Sequence, residues 1–274
     1  MKQRVKRIAY IVARLYVGII LMLMLLERFL VYPAPRASQG NWNASAVGAE
    51  DVSFESADGT KLHGWYFEHP TPRAHILFCH GNGEHVGYLG DEMRGMSEHF
   101  NVSIFAFDYR GYGKSEGKPF EKGVVEDGVA AQQWLANRAN IKPTDVVLHG
   151  RSLGGGVAVN LAGNVGAKAL IAERTFHSMV AIGARKYPIF PIHWVMRNRY
   201  LSVEHITKFN GPLLQVHGDE DSLVPVESAE ELFAACPSAK KSFIKVPGMG
   251  HNDRAPDEFY SAIDDLLDSL QPAD

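Results

Sequence analysis

Apolar residues fill the stretch Ile8 to Leu26, with Arg14 as the one charged interruption. As a helix this stretch would reach roughly 28 Å at about 1.5 Å per residue, close to the thickness of a bilayer's hydrocarbon core. A run that is apolar on every face fits a buried core helix poorly, so residues 1–28 are read as a membrane anchor. Arg14 lies in its first half, where it can snorkel toward the basic end. A cleaved signal peptide shares the basic start and apolar middle, but no small-residue cleavage site follows promptly, only Glu27-Arg28-Phe29-Leu30-Val31-Tyr32-Pro33. Lys2, Arg4, Lys6 and Arg7 precede the run with no acid among them. That imbalance puts the N-terminus in the cytoplasm and the body on the far side, in a periplasm, a lumen or the exterior.

Residues 29–48 read as a polar linker after Pro33 and Pro35, with Trp42 placed at the membrane interface. From residue 49 the pattern changes. Asp51 to Glu55 and Lys61 to Phe67 alternate apolar with polar around Ala57-Asp58-Gly59-Thr60, which predicts a hairpin. Strand and helix patterns then alternate: strand Ala74 to Cys79, helix Glu84 to Glu98, strand Val102 to Phe107, helix Val124 to Arg138, and strand Asp145 to Leu148. Further strands are expected at Ala169 to Ala172, Leu213 to Val216 and Phe243 to Val246, with helices at Val226 to Ala235 and Asp257 to Leu270. A hairpin followed by repeated strand-helix units predicts one α/β domain over 49–274, a mostly parallel sheet with an antiparallel edge and helices on both faces.

The segment His149-Gly150-Arg151-Ser152-Leu153-Gly154-Gly155-Gly156 joins a strand to a helix of small apolar residues. It has the form of a nucleophile elbow, in which a serine held in a strained conformation needs nearly side-chain-free neighbours two residues to either side. A serine hydroxyl needs a base, and the base works best when a carboxylate fixes its tautomer. In such a sheet these partners belong at the carboxyl ends of strands. Two loops qualify: His217-Gly218-Asp219-Glu220-Asp221-Ser222-Leu223-Val224-Pro225 and Pro247-Gly248-Met249-Gly250-His251-Asn252-Asp253. Ser152 as nucleophile, His251 as base and Asp221 as orienting acid follow the chain order of this architecture. Asp219, Glu220 and Asp253 compete with Asp221, which leads because Leu-Val-Pro would pin its turn. His80, His149 and His217 each precede a glycine at a strand end and read as packing or hydrogen-bonding residues under the loops. Oxyanion donors are expected from the Leu153 N–H and from the turn His80-Gly81-Asn82-Gly83, with the Asn82 N–H the candidate and Gly83 the alternative.

Between Glu173 and Lys208 the strand-helix rhythm breaks into a proline-interrupted apolar stretch, read as a lid over about 174–208. Phe176, Met179 and Trp194 are its candidate acyl-binding residues, and so short a lid predicts an open or shallow pocket. Short helices capping the core would account for the same pattern. Composition narrows the chemistry further. The 274-residue chain has a net charge of -3, but beyond residue 28 it carries 22 basic against 30 acidic residues, a balance of -8 that gives no case for nucleic acid. Cys79 and Cys236 are too few for a disulfide framework. Gly113-Lys114-Ser115 ends like a phosphate loop, but the position of that motif's first glycine is Asp108. Asp108 and Arg110 read as residues that tie loops together. With no dinucleotide fingerprint, His-Glu-x-x-His or Cys-x-x-Cys, neither metal nor cofactor is implied.

Taken together, the elbow, the His80-Gly81-Asn82-Gly83 turn, the run Asp108-Tyr109-Arg110-Gly111-Tyr112-Gly113-Lys114-Ser115-Glu116-Gly117, the acid loop and His251-Asn252-Asp253 resemble the α/β-hydrolase superfamily. More narrowly, with the N-terminal anchor, they are similar to its membrane-anchored serine hydrolases of the bud-emergence-homologue type. The resemblance covers about residue 50 to the end. It implies a Ser152/Asp221/His251 triad hydrolysing an ester, thioester or amide, with removal of fatty acyl groups from proteins among the activities of relatives. Many of those relatives carry a small residue where this chain has Glu84. Bilayer lipid and an acyl ester or thioester are the expected partners. A peptidase or amidase on the same fold, and a non-catalytic binding protein, are the competing readings.

Overall fold

The computed structural model describes residues 1–271 of the chain. Helix α1 (Lys2–Val31) runs to the first proline, and then eight strands form one sheet. These are β1 (Glu50–Glu55), β2 (Lys61–Phe67), β3 (His75–Cys79), β4 (Ser103–Asp108), β5 (Val147–Arg151), β6 (Ala169–Glu173), β7 (Leu213–Gly218) and β8 (Lys241–Val246). Their spatial order is β1-β2-β4-β3-β5-β6-β7-β8. β2 is antiparallel to both neighbours, and every pair from β4 to β8 is parallel. The hairpin turns where Gly59 takes φ 81°, a left-handed conformation, and Asp58 accepts from Thr60 N–H at 3.1 Å.

Five helices cover the sheet: α2 (Val86–Phe100), α3 (Glu121–Ala139), α4 (Leu153–Asn164), α8 (Val226–Ala235) and α9 (Asp257–Ser269). Between β6 and β7 lie the short helices α5 (Met179–Lys186), α6 (Ile192–Val195) and α7 (Ser202–Ile206), in the segment read as the lid. Alternation along each strand divides the core. Leu77 and Cys79 of β3 join the cluster under α3 and α4, whereas Ile76 and Phe78 join the cluster under α2 and α9. The expected elements are present, with ends shifted by a few residues.

The segment after α1 is packed more closely than a linker. The buried Tyr32 hydroxyl hydrogen-bonds Asn198 Oδ1 at 3.0 Å and Tyr200 at 2.9 Å. Residues Ala44–Val47 form a turn of 3₁₀ helix, and Ala44 and Val47 enter the core. Trp42 packs on the body, where it stacks on His85 with ring centroids 4.8 Å apart.

Asp108 and Arg110 serve as the expected loop ties. Asp108 accepts from Val86 N–H at 2.9 Å and lies 3.2 Å from His63 Nδ1. Arg110 is buried and holds Asp127 of α3 through Nη2 at 2.7 Å and Nε at 3.0 Å, and Asp58 of the hairpin turn through Nη1 at 2.8 Å. Removing one partner of a buried pair leaves the other charge uncompensated. Asp127→Ala is therefore expected to destabilise the fold by about 3 kcal/mol, read by chemical denaturation of the detergent-solubilised chain.

Candidate active site

The β5–α4 turn carries Ser152 at φ 53° and ψ -116°, a conformation that L-residues avoid. Ser152 N–H donates to Glu173 O at 2.9 Å, and Ser152 O accepts from Gly155 N–H at 2.9 Å and from the Thr175 hydroxyl at 2.8 Å. Glycine is required beside it for space. A Cβ on Gly154 would run into the carbonyl oxygens of Cys79 and His80, and one on Gly150 would meet Gly154 O and Ala158.

The residues expected as nucleophile, base and acid form one hydrogen-bonded row. Ser152 Oγ lies 3.0 Å from His251 Nε2, and His251 Nδ1 lies 2.6 Å from Asp221 Oδ2. A carboxylate can only accept, so Nδ1 carries the proton and Nε2 is left to accept from the serine hydroxyl. Asp221 Oδ1 accepts from Leu223 N–H at 2.9 Å and Val224 N–H at 2.8 Å. Burial alone would raise the Asp221 carboxyl. Hydrogen bonds from His217, His251 and Val224 N–H outweigh it and hold the group well below the usual carboxylate range. The competing acids do other work. Asp219 accepts from Gly248 N–H and Asp253 from Gly250 N–H, each at 2.7 Å, so both brace the His251 loop. His217, read as a packing residue, is fully buried and donates to Val224 O at 2.8 Å, which fixes the acid turn.

Leu153 N–H opens α4 and Asn82 N–H lies in the turn after β3, and among the described residues neither donates to any group. The Asn82 side chain is fixed from both ends, donating to Val31 O and accepting from the Tyr112 hydroxyl. Glu84, which stands where a small residue was expected, clamps this turn. Its Oε2 accepts from Gly81 N–H at 2.6 Å, and its Oε1 from Arg151 Nη1 at 3.0 Å. Arg151 also pairs with Glu92 and with Glu173, which in turn pairs with His149 and Arg174. Burial would raise the Glu173 carboxyl, but the Arg151 charge and the His149 hydrogen bond hold it well below its usual range. The sequence contained Glu84, Glu92 and Glu173 as scattered acids. The signal for the network was Arg151 itself, a charge next to the serine where burial demands partners.

Ser152 borders two cavities. On one side a wide cleft of about 1090 Å³ carries the charged side chains of Glu92, Arg151, Asp253, Arg254 and Asp257 among apolar ones such as Met96 and Phe100. On the other an apolar cavity of about 190 Å³ runs under the lid. Phe176 and Met179 line that cavity as expected, and Trp194 does not. Trp194 sits on the four-residue α6 with its ring turned outward, 90% exposed. Leu23, Met24, Leu30 and Val31 of α1 supply one wall of this cavity, a contribution that the lid alone did not suggest.

A sequence profile described as Serine aminopeptidase, S33, matches residues 70–189. The uncharacterized protein Rv2307c of Mycobacterium tuberculosis is 35% identical over 250 residues, covering 89% of this chain and 86% of that protein. The α/β hydrolase domain-containing protein WAV2 of Arabidopsis thaliana is 30% identical over 223 residues, covering 74% and 72%. Among solved structures, the Pyrococcus furiosus esterase Pf2001 superposes with a TM-score of 0.70 at 22% identity, covering 86% of this chain and 98% of that one. The strand order, the serine-bearing turn between β5 and α4, and these likenesses agree, and the chain belongs to the α/β-hydrolase superfamily.

Proposed function

We propose that the protein is a membrane-anchored serine hydrolase of the bud-emergence-homologue type, cleaving an ester or thioester of an apolar acyl group through Ser152, His251 and Asp221. The observation that carries this reading is the row from Ser152 Oγ to His251 to Asp221, at the junction of an apolar cavity and a wider cleft that carries charged side chains. The acyl group occupies the cavity and the leaving alcohol or thiol the cleft. Ser152 Oγ attacks the acyl carbon as His251 Nε2 takes its proton. The oxyanion meets the N–H groups of Asn82 and Leu153, at the positive end of α4. Collapse breaks the bond to the leaving group, which takes the proton from His251 and leaves an acyl-serine. Water, deprotonated by the same imidazole, then releases the acid and restores Ser152. Asp221, held ionised, fixes the imidazole tautomer and stabilises the imidazolium throughout.

In this reading α1 is an uncleaved single span, residues 1–28 forming the anchor, with the N-terminus cytoplasmic and the catalytic body on the far side. The length and apolar character of α1 support a span, and the basic residues ahead of it support the orientation. A second reading, a peptidase or amidase, draws support from the carboxylates of the cleft, which would suit a cationic amine. Turnover of acyl p-nitrophenyl esters against the matching anilides separates the two.

Ser152→Ala is expected to abolish both labelling by a fluorophosphonate probe and turnover of p-nitrophenyl esters, while thermal unfolding stays near that of wild type. Retained turnover would remove Ser152 from the mechanism. Asp221→Asn is expected to lower kcat about 10⁴-fold through the wrong imidazole tautomer, and Asp219→Asn far less. The reverse order would transfer the acid role to Asp219.

A further inference from the structure

Helix α1 is fastened to the lid along half its length. Near its C-terminal end the buried Glu27 accepts from the N–H groups of Arg197 and Asn198 at 2.8 Å each, and from Asn198 Nδ2 at 2.9 Å. Further toward the N-terminus, the Tyr16 hydroxyl donates to Ile189 O at 2.6 Å, and its ring stacks on Phe190 at 5.6 Å. Tyr16 precedes Leu26 by a distance of about 15 Å along the helix. In a bilayer spanned by Ile8 to Leu26, Tyr16 lies near the middle, so the lid stretch beside it cannot remain in water.

Apart from Arg185 and Lys186, exposed at the end of α5, what the lid shows to its surroundings there is largely apolar. Ile189 is 71% exposed and Trp194 90%, and the neighbouring Leu25, Phe29 and Leu30 of α1 are exposed as well. Such clustered apolar exposure has no partner within the protein. Around the base of α1, beside Leu25 and Phe29, Arg28, Lys118, Lys122 and Arg197 border one hollow together with Glu121 and Glu126. Lys122 pairs with Glu126 and Arg197 with Glu27, which leaves Arg28 and Lys118 as the cations of this rim best placed to meet anionic headgroups.

We propose that the lid is sunk in the leaflet from which α1 emerges, and that the apolar cavity takes an acyl chain sideways from that leaflet, with Leu23 and Met24 of α1 as one wall. The substrate is thus an ester or thioester whose acyl chain already resides in the membrane, either a glycerolipid or an S-acylated polypeptide. The substrate assignment rests on the hydrolase reading above; the depth of the lid does not.

The full-length chain is reconstituted in vesicles of phosphatidylcholine and phosphatidylglycerol. Lipids brominated on their acyl chains are expected to quench a component of tryptophan fluorescence that Trp194→Phe lacks. Equal quenching of the two proteins would place the lid outside the hydrocarbon and overturn the proposal. In the same vesicles Met24→Trp is expected to cut the laurate-to-acetate turnover ratio for p-nitrophenyl esters about 10-fold, equivalent to about 1.4 kcal/mol. Leu21→Trp, on the exposed face of α1, leaves that ratio unchanged. An unchanged ratio in Met24→Trp that still labels with fluorophosphonate would remove α1 from the pocket. Release of fatty acid from labelled phosphatidylglycerol, or from an S-palmitoylated peptide in the same bilayer, identifies which source is used. Release from neither, while soluble short esters are cleaved, overturns loading from the leaflet. Absence of fluorophosphonate labelling in wild type would sink the hydrolase reading alone, since the quenching result is independent of it.

Discussion

The backbone at Ser152 occupies a conformation that costs on the order of 1–3 kcal/mol, and its surroundings are built to hold it there. Three hydrogen bonds fix the peptide groups at Ser152, two of them with Thr175 and Glu173 just beyond β6 or at its end. The turn also lies so close to the end of β3 that the Gly154 Cα faces the carbonyls of Cys79 and His80 with no room for a methyl group. Three parallel strands, β3, β5 and β6, therefore converge on one residue. The sheet sets the position of the serine, and the loops after β7 and β8 bring His251 and Asp221 to it.

Beneath that turn the charges of Arg151, Glu84, Glu92, Glu173 and Arg174 form a chain that is largely withdrawn from water. Buried ion pairs of this kind add little net stability, because desolvation offsets their attraction. Their effect here is geometric. Glu84 holds the Gly81 N–H in the turn that presents Asn82, and the same carboxylate grips the residue preceding Ser152. The two proposed oxyanion donors therefore sit on segments bound to each other through one side chain.

The parts of the molecule that follow from local pattern were legible in the sequence. Alternation around Asp58-Gly59 marked the hairpin, and Gly150 and Gly154 marked the elbow, because each reflects a constraint acting within a few residues. Among Asp219, Asp221 and Asp253, pattern put Asp221 first only through the Leu-Val-Pro that follows it, since all three lie in polar turns. The geometry agrees with that order: Asp221 faces His251, while Asp219 and Asp253 cap glycine N–H groups. Trp194 looked like a pocket residue because lid composition says nothing of which way a four-residue helix turns its side chains. The role of α1 as a pocket wall was illegible for a related reason. A helix that is apolar all round has no periodicity to reveal its packed face, and Glu27, its one acidic residue, meets partners 170 and 171 residues away.

The joint between Glu27 and the Arg197-Asn198 segment also makes α1 a mechanical part of the body. A transmembrane helix answers a mismatch between its length and the bilayer's thickness by changing its tilt. Because Leu23 and Met24 lie one turn from that joint and border the cavity, a change of tilt in a bilayer would be transmitted to the wall of the pocket. In a membrane, the lipid composition around the protein would then act on the enzyme as a continuous adjustment of the chain it can admit.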